Sequence, residues 1–276
     1  MPYRVDTRKD LTDMPHYAGY DLQPFSVHRR AVAASAAVGR ERDTIQLLTE
    51  VDITDARRRM RAYRERTGES LSLTAYVVAS LARAVAEFPQ VNSLRTGRHL
   101  AVLHDVTINV LFERTIGTET VPEPRGIISA NQKSLLEIHE ELRAAQRQAD
   151  QQFGSLSGAA WLMKLVPAFL HKALMRWGSR SISMAKRYGV IAVTAVGMFG
   201  PSPLWAIPLS GGTLAVAVGS IVERPRLSEG QVQARECLCI TLAFDHDIID
   251  GAPAARFAKR FSELLTSCEA LRELEG

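Results

Sequence analysis

Hydrophobic residues recur along this chain at two spacings, which together predict strands alternating with helices. Short continuous apolar runs are typical of β-strands, and three of them occur in the second half of the chain. Runs of mixed polarity in the first half predict three more strands. The predicted strands are residues 44–51, 100–103, 106–112, 190–196, 213–219 and 237–244.

Four other segments have apolar positions three or four residues apart, together with residues that start or stop a helix. Asp52 and Thr54 are N-cap candidates for a very basic helix that ends at Gly68. Ser72 caps a second helix, which Pro89 stops. Two more amphipathic helices are predicted over residues 132–148 and 254–268. This mixture predicts an α/β or α+β fold with a mixed β-sheet flanked by helices.

The chain divides into an N-terminal arm and one compact domain. Residues 1–25 are polar, contain three prolines and show no periodicity, so we expect an extended arm there. Residues 26–276 contain neither a long linker nor an internal repeat. One compact domain is therefore the simplest expectation over that range, with two similar halves as the alternative.

Composition and charge exclude several classes of protein. Of the 276 residues, 46% are hydrophobic and 23% charged, the balance of an ordinary globular protein. A formal net charge of +4 without a basic stripe disfavours nucleic-acid binding. No apolar run reaches the roughly 18 residues of a membrane span, and the N-terminus lacks a signal region. Three cysteines without a CxxC pair disfavour disulfides and a metal site and predict a cytoplasmic location.

The sharpest chemical signal is FDHDIIDGAPAARF, residues 244–257, where an apolar strand runs into a helix. A histidine at the end of such a strand is held rigidly, while its ring can reach a cleft. His246 is therefore a candidate general base. Asp250 could orient or lock the loop, and Gly251 would permit a close turn. From these residues alone, a plain strand-to-helix turn with capping carboxylates stays open.

Thr194 is a second candidate, because it places a hydroxyl in the middle of the apolar strand GVIAVTAVG. A buried hydroxyl needs a hydrogen-bond partner. A hydroxyl that faces a cleft can instead donate to a developing oxyanion. Threonine is also a good strand former, so a structural role stays open.

Five segments in the same order along the chain resemble the 2-oxoacid dehydrogenase acyltransferase catalytic-domain family. HxxxDG (His246, Asp250, Gly251) within FDHxxIDGAxAARF is the most specific. GVIAVTAVGMFG, residues 189–200, resembles the family's GTFTISNLGMFG and places Thr194 where the family has its oxyanion-stabilising serine. The other matches are LTAYVVASLARAVAEFPQVN at 73–92, Val121-Pro122 with NQKSLLEIHEEL at 131–142, and Ile207-Pro208 with TLAVAVG at 213–219. The resemblance covers roughly residues 25–270.

This resemblance implies a chloramphenicol acetyltransferase-like fold and acyl transfer with coenzyme A as the acyl-carrying co-substrate. The family forms trimers, alone or in larger assemblies, with active sites between subunits. His246, the general base, would face Thr194, the oxyanion donor, of a neighbouring chain. Asp250 would be structural and paired with an arginine near the chain start, where Arg29 and Arg30 are candidates and Arg30 is favoured. A lipoyl group would be carried by a separate partner protein, not by this chain.

Departures from the family pattern leave the acceptor open. No lipoyl domain, Pro/Ala-rich linker or subunit-binding domain precedes the core, so we expect a stand-alone core. Asp247 replaces the arginine that usually follows the catalytic histidine, and Thr194 replaces serine. Three interpretations remain: acyl transfer to a dihydrolipoyl thiol, acyl transfer to a small hydroxyl or amine acceptor, and a non-catalytic trimeric scaffold or binding protein.

Two basic segments have open roles. Residues 156–188 are longer and more basic than the family suggests. They could cover the core or a subunit contact, meet the phosphates of coenzyme A, or lie on an anionic membrane. The RRRMR run, Arg57–Arg61, is typical of a solvated helical face, with an anionic ligand as the alternative.

Overall fold

A computed structural model of the chain describes residues 16–17, 19–22, 25–116, 119–151, 168–197, 202–209, 211–228 and 230–274. The strands are β1 (His16–Tyr17), β2 (Tyr20–Asp21), β3 (Thr44–Asp52), β4 (Ser93–Thr96), β5 (His99–Val102), β6 (Ile108–Ile116), β7 (Glu119–Ile127), β8 (Ile191–Ala195), β9 (Leu214–Ser228) and β10 (Gln231–Asp245). The helices are α1 (Val27–Gly39), α2 (Thr54–Thr67), α3 (Leu73–Glu87), α4 (Leu135–Gln151), α5 (Ala168–Gly178), α6 (Ile182–Tyr188), α7 (Gly251–Ser267) and α8 (Glu269–Arg272).

Six of these strands form one mixed sheet in the order β3-β10-β9-β8-β6-β7. β8 runs parallel to both β6 and β9, whereas the other neighbouring pairs are antiparallel. Helices α3 and α7 pack against each other, and α7 packs against β3. The predicted mixed sheet flanked by helices is confirmed.

Aromatic packing in the main core fixes both flanks of the segment that contains His246. Phe244 lies in the buried part of β10, and Phe257 lies in α7. Their rings meet edge to face with centroids 5.7 Å apart, and Phe88 contacts Phe257 in the same way at 5.6 Å. Both sides of the turn are therefore anchored in the core.

The helix signals in the sequence are confirmed with one correction. Gly68 ends α2 in the left-handed region with φ 78°, and the Ser72 side chain accepts a hydrogen bond from the Ala75 N–H at the start of α3. The N-cap of α2 is Ile53, and not Asp52 or Thr54. Asp52 instead accepts the Thr54 N–H and hydroxyl at 3.0 and 2.7 Å, which closes the turn before the helix.

Two predicted strands are longer than their apolar runs. β9 and β10 each contain 15 residues, because they continue as a hairpin through polar sequence. The predicted strands on either side of the His104–Asp105 turn join different sheets: β5 pairs with β4, and β6 enters the main sheet.

The predicted N-terminal arm falls mostly outside the described residues. Its described part contains the short antiparallel pair of β1 and β2. The division at residue 25 stays a prediction. Within the described ranges, no helix is both long and apolar enough to cross a membrane.

Candidate active site

His246 lies directly after β10, in the turn that leads to α7. Its backbone N–H donates to the carbonyl of Asp43 at 2.8 Å, while 47% of its side chain is exposed. Nδ1 lies 3.7 Å from Oδ1 of Asp250, which is beyond hydrogen-bond distance. Asp250 is the N-cap residue of α7 and its side chain is 81% exposed. The backbone of His246 is therefore fixed, while about half of its side chain is accessible to solvent.

The two aspartates that flank His246 are each paired with an arginine from another element. Arg42, which follows α1, pairs with Asp245, whose side chain is only 4% exposed. Arg95 of β4 pairs with Asp247 at 2.7 Å. Sequence analysis missed Arg42, because it lies 203 residues from its partner and matches no local motif.

The predicted partner of Asp250 is not observed. Among the described residues, Arg30 and Asp250 form no ion pair, and Arg29 is bound to Glu119 and to the carbonyl of Thr120 at 2.8 and 2.9 Å. These bonds hold the start of α1 against β7. Arg42, which follows α1, reaches Asp245 beside the histidine.

Gly251, which was expected to permit a close turn, does not use the conformational freedom of glycine within the single chain. Gly251 begins α7 without a positive φ, and a Cβ there would meet no heavy atom within 4 Å. The local backbone therefore accommodates a larger residue.

Thr194 lies on β8, in register with Leu111 of β6 and Ala217 of β9. It is half-buried and lines a cavity of about 1250 Å³ between α4 and the β7-β6-β8 side of the sheet. Within the described part of the chain, the Thr194 hydroxyl has no hydrogen-bond partner. This hydroxyl therefore remains available to a molecule in the cavity.

Close backbone packing follows Thr194. A Cβ at Gly197 would lie 1.7 Å from the carbonyl oxygen of Gly219, so only glycine fits there. Residues 198–200 of the GMFG motif lie outside the described residues.

One chain does not bring Thr194 and His246 together. Through β9, the strand register places Thr194 level with Thr241 of β10, and His246 follows Thr241 by five residues. With a rise of about 3.3 Å per residue and about 4.8 Å between strands, the two positions are about 19 Å apart. Within this chain, the two side chains therefore cannot both contact one reacting atom.

His139 of α4 lines the cavity at Thr194, although the sequence analysis did not single it out. Its Nδ1 accepts the Ser72 N–H at 3.1 Å, so in the neutral ring Nε2 carries the proton. Burial lowers the pKa of His139 below its ordinary value. The available signal was its place on the helical stripe between Leu135 and Leu142.

Several basic residues of the two basic segments form ion pairs with glutamates. Lys172 and Arg176 of α5 both pair with Glu41 and lower the pKa of that carboxyl to about 2. Arg57 and Arg61 of α2 both pair with Glu236. Residues 152–167 of the longer basic stretch lie outside the described residues.

The sheet and the helices that cover it define the fold of the acyltransferase cores of 2-oxoacid dehydrogenase complexes. A dihydrolipoamide acetyltransferase of Azotobacter vinelandii superposes with a TM-score of 0.71 at 19% identity, over 91% of this chain and 93% of that chain. The cubic core of a pyruvate dehydrogenase multienzyme complex superposes with a TM-score of 0.67 at 19% identity, over the same shares.

The family resemblance of the sequence is also confirmed. Residues 183–272, which contain Thr194 and His246, match the family model "2-oxoacid dehydrogenases acyltransferase (catalytic domain)". The lipoamide acyltransferase component of the branched-chain alpha-keto acid dehydrogenase complex of Bacillus subtilis (strain 168) is 25% identical over 272 residues. That alignment covers 95% of this chain and 56% of the relative. The chain thus spans about half the length of this relative.

Proposed function

We propose that this protein transfers acyl groups between coenzyme A and a thiol acceptor, with His246 as general base and Thr194 as oxyanion donor. The observation that carries the proposal is the match of residues 183–272, a range that contains Thr194 and His246, to an acyltransferase catalytic domain. The exposed His246 ring and the unpartnered Thr194 hydroxyl support these roles.

The residue types suit the chemistry of thioester exchange. A free thiol has a pKa of about 8.5, so only a few per cent is thiolate at neutral pH. His246 accepts the thiol proton as sulfur attacks the acyl carbonyl, and the Thr194 hydroxyl donates to the oxyanion that forms. When the intermediate collapses, the carbon–sulfur bond to the departing thiolate breaks and the imidazolium returns the proton to it. Charge is balanced within the site, without a metal.

A second copy of the chain would complete this site. The separation of about 19 Å between Thr194 and His246 in one chain supports a site shared between neighbours. We therefore propose a trimer or an assembly of trimers, which agrees with the fold shared with a multienzyme-complex core. Coenzyme A and the acceptor would approach the shared site from different sides. The cavity of about 1250 Å³ at Thr194 exceeds the volume of ordinary small-molecule sites, roughly 300–1,000 Å³.

The preferred acceptor is a dihydrolipoyl group carried by a separate protein. The names of the relatives support the lipoyl chemistry, since they refer to lipoamide and to dihydrolipoyllysine residues for those proteins. The test supplies acyl-coenzyme A with dihydrolipoamide, a lipoyl domain, or small hydroxyl and amine acceptors. Products are quantified by chromatography. Transfer to dihydrolipoyl thiols is expected. Transfer only to a small acceptor would contradict this acceptor, and no transfer at all would favour a scaffold or binding protein.

Thr194→Val tests the oxyanion role, because it removes the hydroxyl and keeps the shape of the side chain. We expect kcat to fall about 10²-fold, the lower end for the loss of one oxyanion donor. Thr194→Ser is the matched control and should retain most of the activity. Equal activity of the valine variant would contradict the assignment.

A further inference from the structure

The turn that carries His246 is attached to the segment between α1 and β3 at two adjacent points. Arg42 of that segment pairs with the Asp245 carboxylate, and the next residue, Asp43, accepts the His246 N–H at 2.8 Å. One short segment thus holds both the side chain before the histidine and the backbone of the histidine itself.

Asp245 is the centre of the hydrogen bonds that shape this turn. Its Oδ1 accepts the Asp247 N–H at 3.1 Å, and its carbonyl accepts the N–H groups of Ile248 and Ile249 at 3.1 and 3.0 Å. Its own N–H donates to the carbonyl of Thr213 at 3.0 Å. The position of the Asp245 carboxylate therefore determines the path of the chain on both sides of His246.

The two ion pairs beside His246 differ in how far they are buried. The side chains of Arg42 and Asp245 are 18% and 4% exposed, so water screens their interaction little. The side chains of Arg95 and Asp247 are 60% and 54% exposed, and a pair of that kind contributes little. Removing Arg42 would leave the buried Asp245 carboxylate without a counter-ion. Because an unpaired buried charge is unfavourable, Asp245 would move toward water and displace the turn.

We propose that Arg42 is a positioning residue for His246, acting through Asp245 on the turn that carries the histidine. The role rests on the proposed function of His246. Arg42 does not touch the imidazole; it keeps Asp245 in its buried place, and the hydrogen bonds of Asp245 keep the histidine at its angle. A misplacement of about 1 Å in a catalytic group can cost about 10²-fold in rate.

The test compares Arg42→Met with Arg180→Met. Arg42 and Arg180 both line a cavity of about 270 Å³ beside the histidine turn, but Arg180 forms no ion pair within the described ranges. Hydrogen exchange of the amides of residues 246–249 reports on the turn without reference to activity. We expect at least about tenfold faster exchange there in Arg42→Met, with the amides of residues 240–242 unchanged.

The kinetic arm uses the acyl-transfer assay. Arg42→Met should lower kcat about 10²-fold with KM changed less than threefold, Arg42→Lys should recover most of kcat, and Arg180→Met should match the parent protein. Asp245→Asn keeps the shape of the side chain and is the second variant should Arg42→Met fail to fold. It should change exchange and kcat in the same direction.

Two results would overturn the proposal. An unchanged exchange pattern in Arg42→Met would show that the pair does not hold the turn. Faster exchange with unchanged kcat would show that the turn does not position His246 for catalysis. Absence of acyl transfer in the parent protein would instead contradict the proposed function. The hydrogen-exchange data would still test whether Arg42 stabilises the turn.

Discussion

The separation of Thr194 and His246 within one chain can be tested by mixing two inactive variants. His246→Ala removes the general base and keeps Thr194, whereas Thr194→Val removes the oxyanion donor and keeps His246. The two positions lie about 19 Å apart along the sheet, whereas both must contact one tetrahedral centre. A site shared by two neighbours can be restored in a mixed trimer, and a site within one chain cannot.

The size of the recovery follows from symmetry. In a cyclic trimer, each shared site takes His246 from one subunit and Thr194 from the next. With equal, random mixing, each required residue is intact with a probability of one half. About one quarter of all sites should therefore be complete, and one third of the sites in trimers that contain both variants, against residual activities of about 1% or less for the separate variants.

The assay co-expresses the two variants with different affinity tags and purifies trimers that carry both tags. Acyl transfer is then measured per subunit, and native mass spectrometry verifies the mixed composition. Mixing His246→Ala with the double variant His246→Ala/Thr194→Val is the control, which should recover nothing. Mixed trimers with only the summed activities of the separate variants would refute the shared site.

Two further predictions concern stability. Glu41 has a folded pKa of about 2 against an ordinary value of 4.5, so its contribution is present above about pH 4.5 and is lost as the pH falls toward 2. Glu41→Gln should therefore lower Tm at neutral pH, and the difference from the parent protein should shrink on acidification; a constant difference would contradict the pairing with Arg176. Gly219→Ala should lower the free energy of unfolding by about 2 kcal/mol or more, because its Cβ would lie 1.9 Å from the carbonyl oxygen of Leu204. Gly178→Ala, with no heavy atom within 4 Å of the Cβ, is the control for urea unfolding, and equal stability of the two variants would contradict the close packing.

The sequence pattern predicted the strands whose apolar residues must be buried. The apolar runs before Thr194 and His246 became β8 and the buried part of β10, because each must lie inside a covered sheet. The polar part of the β9–β10 hairpin was missed, since its two strands pair with each other beyond the apolar core. Pro225 of β9 lies opposite Ala234 of β10, in a part of β9 where β8 does not pair on the other side. Among the described strands, that side therefore needs no N–H from Pro225.

β7 was missed for a related reason. Its sequence, ETVPEPRGI, contains Pro122 and Pro124, which argue against a central strand. Among the strands of the described ranges, β7 lies at the edge of the main sheet and pairs with β6 alone, and prolines can be accommodated at such an edge. The sequence pattern alone could not show which strand would lie at the edge.

The candidate site was predicted where its signal is contiguous and missed where it depends on tertiary contacts. HxxxDG lies within six residues, so His246 and Asp250 were found together. Arg42 reaches Asp245 only because β3 and β10 are neighbours, which brings residues 203 positions apart into contact. The expected pairing of Arg30 with Asp250 does not form within the described chain and stays a prediction, because the first turn of α1 is held at β7.

The central claim is that His246 carries acyl transfer, and one comparison tests it most directly. Parent protein and His246→Ala, matched in oligomeric mass and Tm, are supplied with acyl-coenzyme A and dihydrolipoamide, and acyl-dihydrolipoamide is quantified over time. We predict turnover by the parent protein and a loss of at least about 10³-fold in the variant, within the range for the removal of a general base. Equal turnover by the two proteins would contradict the account.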